Sequence, residues 1–510
     1  MKTITLPHIP APPVTWAWLK RVGYFLQYTG IFIPLIFLLF LFVQDPFSDA
    51  GDFDYDEGIN VMKALLYNRH YNLYTDIWSD QPPLFTVLLS AWFSIFGESV
   101  AAARILVALF SALLLWSFYL VLYNSVSLFA AVGAITLLVL SQFYIRLSGS
   151  VMIGLPALAL AMASLALLVR GKQRWWTFIL SACVMALALQ TKLFVAGLFP
   201  AIGLYLLLTN PIEAIHRTFR QRLFRFGFWL LIVTLVLLAL SFYFRALNTD
   251  MLFKTHFGAQ TRERLLFIQD SQKFIADFFQ QQPIYLMLAL VGLLYAIRQR
   301  HQTFIIPFMW FVIIVVAFIF HRPLWYHHIL LLTIPMTWLC ALSLEAWWRK
   351  LRSLANYTTR ARLLQHALLA ITAFALLTGI LHYPSLLGDR LDKESKLYRP
   401  LYIWELVHQL QADAQVAPGF VFTDRPFYAF QADQLVTPPL AAISRKRLEA
   451  GALTDADLLS ALTTYKPRYV ILQRFTDLYS EAVMAEINQH YALVLEIPPG
   501  RYYRRLPDNN

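Results

Sequence analysis

Residues 217–245 read RTFRQRLFRFGFWLLIVTLVLLALSFYFR: four arginines in nine positions, then twenty residues whose one charge is the last, Arg245. A helix of about 20 apolar residues crosses the hydrocarbon layer of a bilayer, so 226–245 reads as a membrane span with a basic flank. Similar runs recur near 22–44, 100–123, 126–145, 151–169, 175–191, 193–209, 283–297, 303–320, 327–345 and 366–383. The chain has 510 residues, 58% hydrophobic and 14% charged, with mean hydropathy +0.55. Soluble domains carry nearer a quarter charged residues, so an ordinary soluble protein is excluded. Ordinary Gly (19) and Pro (25) counts with 15% aromatics exclude a disordered or collagen-like chain. Cys183 and Cys340 both fall in apolar runs, so no disulfide framework is implied.

The net charge of +12 does not point to nucleic acid. Seventeen of the 42 Lys and Arg cluster at 2–21, 170–174, 217–225, 298–300 and 349–362, between apolar runs. Such tracts mark cytoplasmic loops. The loop from Asp45 to Pro82 is the opposite: eight acids against Lys63 and Arg69. It belongs outside. The N-terminus, Pro-rich over 6–13, is expected to be no cleavable signal peptide. Keeping every basic tract inside requires one of the stretches after the acidic loop not to cross. The stretch at 83–97, 15 residues opened by Pro82-Pro83 and ended at Gly97-Glu98, is the weakest, and it is expected to lie in the outer interface. The fold class that follows is mainly α: a polytopic transmembrane helical bundle of about 11 spans plus interfacial helices over 1–383. A C-terminal α/β domain over 384–510 is expected on the outer side. Its strand-like runs at 419–422 and 469–472 alternate with helical patterns at 444–450 and 455–465, before a strand pair at 491–497 and 501–506.

Candidate chemistry clusters at the outer face. Asp52-Phe-Asp54-Tyr-Asp56-Glu57-Gly58 opens a helical pattern in which Ile59, Met62, Leu65 and Leu66 share one face. Ten residues cannot span, so this is an interfacial amphipathic helix, with acids at its favoured end. As a calcium loop it fails, because Glu57 stands where Gly is needed and Lys63 where Glu is needed. The remaining readings are a solvated acidic surface or a carboxylate that takes a proton from an attacking hydroxyl. Asp80-Gln81-Pro82-Pro83 returns the chain to the membrane in an extended backbone. Ionisable groups at the ends of spans are functional candidates: Arg146, Lys192, and the segment His321-Arg322-Pro-Leu-Trp-Tyr326-His327-His328. That segment suits an anion. A zinc site would need distant acids to complete it.

The order of these features resembles the C-class glycosyltransferases, most closely the branch of protein O-mannosyltransferases and the aminoarabinose transferase of lipid A. Asp56-Glu57 matches the branch's Asp-Glu motif, and Asp80-Gln81-Pro82 matches an acid-Lys-Pro segment with Gln in place of Lys. Thr191-Lys192 matches a Thr-Lys bordering the donor cavity, and 322–328 occupies the place of a basic, aromatic loop near the lipid phosphate. The likeness covers about residues 20–345. One departure stands out: the second outer loop, Arg146 to Pro156, carries no acid where many members have an Asp. Asp80 or Glu57 are candidates to substitute.

The resemblance implies an inverting glycosyltransferase in the cell inner or plasma membrane. It would move a sugar from a polyprenyl-phosphate-linked donor to an acceptor hydroxyl on a protein, glycolipid or glycan. Asp56 and Glu57 are the implied catalytic residues. Asp80, Gln81, Arg146, Lys192, His321, Arg322, Tyr326, His327 and His328 are the implied substrate-binding residues. No cofactor is expected, although the acidic loop could hold a divalent ion, and no nucleic-acid partner. The alternatives are a secondary transporter, for which no internal repeat is found, and a non-catalytic cell-envelope scaffold.

Overall fold

The computed structural model describes residues 30, 32–44, 51–170, 174–208, 218–247, 271–299, 304–321, 324–352, 401–444, 447–448, 451–497 and 500–507. The expected span at 366–383, Arg322, and parts of the 246–282 loop and of the 444–450 helix lie outside them. The helices in chain order are α1 (Phe32–Gln44), α2 (Tyr55–Asn68), α3 (Leu84–Phe96), α4 (Val100–Ser125), α5 (Leu128–Val139), α6 (Gln142–Ser148), α7 (Gly154–Arg170), α8 (Trp175–Thr191), α9 (Phe199–Leu208), α10 (Phe219–Tyr243), α11 (Ser271–Gln281), α12 (Pro283–Arg298), α13 (Ile305–Phe320) and α14 (Leu330–Arg352). Short 3₁₀ turns at Leu193–Leu198 and Tyr326–Ile329 precede α9 and α14.

Among the described residues, three helices are long and apolar enough to cross a membrane alone: Val100–Ser125, Phe219–Tyr243 and Tyr326–Lys350. The bent pair Lys273–Gln280 and Pro283–Arg298 makes a fourth if it counts as one span. Shorter apolar helices coincide with most of the remaining expected runs. The α4 helix packs along α7, α7 along α8, α8 along α10, and α14 against α5, α12 and α13. Where α12 crosses α14, a side chain at Gly292 would collide with the Leu339 carbonyl, so only glycine permits this approach. The α3 helix has 13 residues, about 20 Å at 1.5 Å each, too short for a layer of about 30 Å. It packs on α2.

One expected run is broken, and one expected boundary between runs takes the form of a turn. The run 126–145 parts at Ser141, whose extended backbone (φ −75°, ψ 120°) separates α5 from α6. The chain also turns at Lys192 (φ −156°, ψ 127°), where α8 gives way to a 3₁₀ turn. Both breaks lie beside the acidic loop, and each sets a cation there.

The C-terminal part contains α15 (Leu401–Val416), β1 (Val421–Thr423), α16 (Pro426–Gln431), α17 (Asp455–Tyr465), β2 (Tyr469–Leu472), α18 (Glu481–His490), β3 (Tyr491–Ile497) and β4 (Gly500–Arg505). The sheet order is β1-β2-β4-β3, with β1 parallel to β2 and the other pairs antiparallel. Phe422, Leu458, Leu462, Val470, Leu472, Val483 and Ile487 form a core of their own. On the other side α16 packs on α2, and Phe430 stacks on Phe93 of α3 with ring centroids 5.7 Å apart. Gly58 makes this possible, because a Cβ there would sit 2.7 Å from the Phe427 nitrogen.

Candidate active site

Asp54 has extended backbone (φ −152°, ψ 149°), and its Oδ1 accepts the Asp56 N–H at 2.9 Å. It therefore caps α2. Asp56 and Glu57 follow in the first turn, where the helix dipole favours carboxylates. Successive side chains diverge by about 100° around a helix, and these two have different surroundings.

Glu57 turns inward and is fully buried. Its Oε1 accepts from Arg104 Nε and the Val151 N–H, both at 2.9 Å. Its Oε2 accepts from Arg104 Nη2 at 2.8 Å and the Phe53 N–H at 2.9 Å. Arg104, equally buried, also donates to the Gly51 carbonyl at 2.7 Å. Asn60 completes the tie by donating to the Val151 carbonyl at 2.8 Å. The acid-free second outer loop thus meets α2 through its main chain. With four donors on one carboxylate, Glu57 is an anchor for two loops. That geometry sets it apart from the catalytic pairing with Asp56 expected above.

Asp56 is half-buried. Burial raises its carboxyl above the ordinary value. Arg474 and then Lys192 pull it back, Asp80 pushes it up, and Lys63 pulls it down. Four segments of the chain therefore meet at this carboxylate: α2 itself and those that carry Asp80, Lys192 and Arg474. Burial, and next the charge of Asp56, push Asp54 up to about 7. Lys63 lies two helical turns after Asp56 on the same side of α2. It is 2% exposed, and its Nζ donates to Ser79 Oγ at 3.3 Å. Burial lowers its amine, while Asp80 and Asp56 hold the proton on.

The remaining expected residues fall around this centre. Asp80 acts on both Asp56 and Lys63. Gln81 serves the turn through its main chain, its carbonyl accepting from Tyr74 Oη at 2.9 Å and Ser79 Oγ at 3.2 Å. Lys192 Nζ lies 5.0 Å from the Phe194 ring centroid and acts electrostatically on Asp56 and on His327. Arg146, on α6, donates to the Phe53 carbonyl at 3.4 Å and stacks 4.1 Å from the Tyr326 ring. It thereby links the acidic loop to the histidine segment. There the rings of His327 and His328 are 4.4 Å apart, and those of His321 and His328 5.6 Å apart. His327 is buried, and its Nδ1 has no hydrogen-bond partner among the described residues. Among the described residues, no group of three or more His, Cys, Asp or Glu could hold a metal ion.

Sequence reasoning missed the contribution of the C-terminal part. Arg425 forks onto Asp52, with Nη2 to Oδ1 at 2.6 Å and Nε to Oδ2 at 3.2 Å. Its guanidinium lies 4.8 Å from the Tyr55 ring, and that of Arg474 lies 3.8 Å from the same ring. Arg447 stacks 3.9 Å from the Trp78 ring and acts on Asp80. The Arg474 loop is held by Asp424, whose carboxylate accepts the N–H groups of Gln473, Arg474 and Phe475 at 2.8–3.2 Å. Arg474 donates no side-chain hydrogen bond to a described residue; aromatic rings and nearby acids hold it. Such a planar fork of donors suits carboxylate or phosphate oxygens. Arg104 did carry a signal, a lone arginine in the apolar run 100–123. The three tail arginines had none, because only the docking of α16 on α2 brings them here.

A family model described as dolichyl-phosphate-mannose-protein mannosyltransferase matches residues 80–251. The structure is similar to that of ArnT from Cupriavidus metallidurans bound to undecaprenyl phosphate (TM-score 0.60, 12% identity, covering 98% of this chain and 99% of that one). It is also similar to the Archaeoglobus fulgidus oligosaccharyltransferase tethered to an acceptor peptide (TM-score 0.56, 12% identity, 95% of this chain and 75% of that one). A third similar structure is AglB from the same organism with an inhibitory peptide and a dolichol-phosphate (TM-score 0.54, 12% identity, 95% and 76%). No curated protein matches by sequence. The fold is that of the C-class membrane glycosyltransferases, as the order of motifs anticipates. Nothing in these comparisons favours a transporter or a scaffold.

Proposed function

We propose that the protein is an inverting glycosyltransferase of the membrane that takes its sugar from a polyprenyl-phosphate-linked donor and delivers it to an acceptor hydroxyl. The single observation that carries the chemistry is the setting of Asp56. It is a half-open carboxylate with Lys63, Lys192 and Arg474 around it, while its neighbour Glu57 is fully engaged. Two structural neighbours hold undecaprenyl phosphate or a dolichol-phosphate, which supports a lipid-linked donor.

Asp56 takes the proton from the acceptor hydroxyl as its oxygen attacks the anomeric carbon. The bond from that carbon to the phosphate oxygen breaks, its electron pair leaves with the phosphate, and the configuration inverts. The phosphate gains one negative charge, and Lys192 with the histidine segment receives it. Cations fixed in advance where charge develops lower the barrier most effectively. The raised basicity of the half-buried Asp56 suits a proton acceptor. The C-terminal part lies with the acidic loop on the outer side of the membrane. Its contacts with Asp52, Tyr55 and Trp78 support that placement. There Arg474 completes the pocket.

The test is Asp56→Asn in membranes supplied with a labelled polyprenyl-phosphate sugar. Unchanged protein abundance with turnover lower by about 10²- to 10⁴-fold is the expected result. Turnover near that of the parent protein would overturn the assignment.

A further inference from the structure

The α8 helix ends at Lys192, beside Asp56. Its 17 residues place its other end about 26 Å away at 1.5 Å each, at the opposite membrane boundary. A groove of about 650 Å³ opens there, lined by Trp175 and Phe178 of α8 and by Arg220, Phe224, Arg225 and Phe228 of α10. Three features give it the character of an anion site. The α8 and α10 helices both start here, and neither carries an acid in its first turn, so two positive helix ends converge. The Arg225 guanidinium lies 5.1 Å from the Phe178 ring, and neither Arg220 nor Arg225 forms an ion pair or side-chain hydrogen bond with a described residue. The groove also opens on the perimeter of the bundle. Trp229 and Val233 are the buried residues of α10, whereas Trp175 and Phe224 are about three-quarters exposed, at 74% and 73%.

We propose that this groove holds the phosphate headgroup of an anionic phospholipid from the leaflet on the basic-tract side. The arginines receive the phosphate, the aromatic rings sit at headgroup level as interfacial aromatics do, and the exposed apolar side of α10 takes the acyl chains. Basic pockets between spans on the cytoplasmic side suit such headgroups. A soluble phosphate would need the arginines but not the apolar wall. The site is separate from the Asp56 pocket and does not depend on the transferase reading.

The full-length protein, reconstituted in nanodiscs of phosphatidylcholine with or without phosphatidylglycerol, tests this by thermal midpoint and by lipids retained in native mass spectrometry. Phosphatidylglycerol is expected to raise the midpoint and to be retained preferentially. Arg220→Gln with Arg225→Gln is expected to weaken its retention roughly 30-fold, at about 1 kcal/mol per basic residue. Arg298→Gln, which removes a charge from another basic tract, leaves it unchanged. Parent protein that shows no preference for phosphatidylglycerol would overturn the proposal, and this reading needs no variant to fold. Equal weakening by Arg298→Gln would reduce the effect to general surface charge and also overturn it. Stabilisation by glycerol phosphate alone would assign the groove to a free phosphate, and a midpoint that follows protein concentration instead of lipid would assign it to a second copy. Either result defeats the lipid assignment.

Discussion

Glu57→Ala is expected to behave quite differently from Asp56→Asn, although the residues are adjacent. Removing the Glu57 carboxylate strands the fully buried Arg104 guanidinium and leaves the Phe53 and Val151 N–H groups without their acceptor. Breaking a buried ion pair from one side costs about 3–5 kcal/mol. Each stranded buried donor adds about 1–3 kcal/mol where water cannot reach it. Native proteins hold about 5–15 kcal/mol in all, so the variant should accumulate poorly in membranes and lose several degrees of thermal midpoint in detergent. Replacing both partners, Glu57→Leu with Arg104→Leu, should recover much of that loss, since a buried pair exchanged for apolar side chains is often neutral. The assay is membrane abundance and thermal unfolding, measured beside sugar transfer. A Glu57→Ala protein with normal abundance and midpoint but no transfer would refute the anchor role and return Glu57 to the chemistry.

Three further outcomes are expected. Arg474→Gln removes the strongest cation acting on Asp56, so the Asp56 carboxyl rises further and the acidic limb of the pH–rate profile moves to higher pH. Transfer should fall most below neutrality and recover in alkaline buffer, whereas a purely structural defect would lower it at every pH. Asp54 titrates at about 7 when folded, against 3.8 ordinarily. The folded state thus holds its proton more tightly, and stability falls as pH rises between those values. Asp54→Asn keeps a capping side chain and removes that decline, so its thermal midpoint should exceed the parent's above neutrality and match it in acid. Gly58→Ala would favour an isolated helix, but here its Cβ meets the Phe427 backbone. A loss of about 1–3 kcal/mol and faster proteolysis of the C-terminal part are expected.

The helices of the bundle were legible because a span must be apolar along its length, and most of the apolar runs coincide with helices of the structure. The break at Ser141 was less so, because it lies where apolar composition hardly changes, whereas the boundary at Lys192 was marked by Gln190-Thr191-Lys192 between two apolar runs. Asp56 was readable from its place at a helix start. The division of labour between Asp56 and Glu57 was not, because it depends on Arg104, 47 residues away, sharing a face with two loops. Lys63 looked like a failed calcium ligand in the linear pattern, yet helical geometry returns it to Asp56 two turns later. Arg425, Arg447 and Arg474 stand among 14 ordinary bases of a mixed tail, and nothing local distinguishes them.

The fork of Arg425 on Asp52 joins residues 373 positions apart. A ribosome therefore delivers the acidic loop to the membrane long before it makes the arginines that finish the pocket. Through most of its synthesis the nascent chain holds Asp54, Asp56 and Asp80 without Arg474. The docking of the last segment on the acidic loop is thus a late step, and a product that stops short of residue 425 lacks every cation that the tail sets beside that loop.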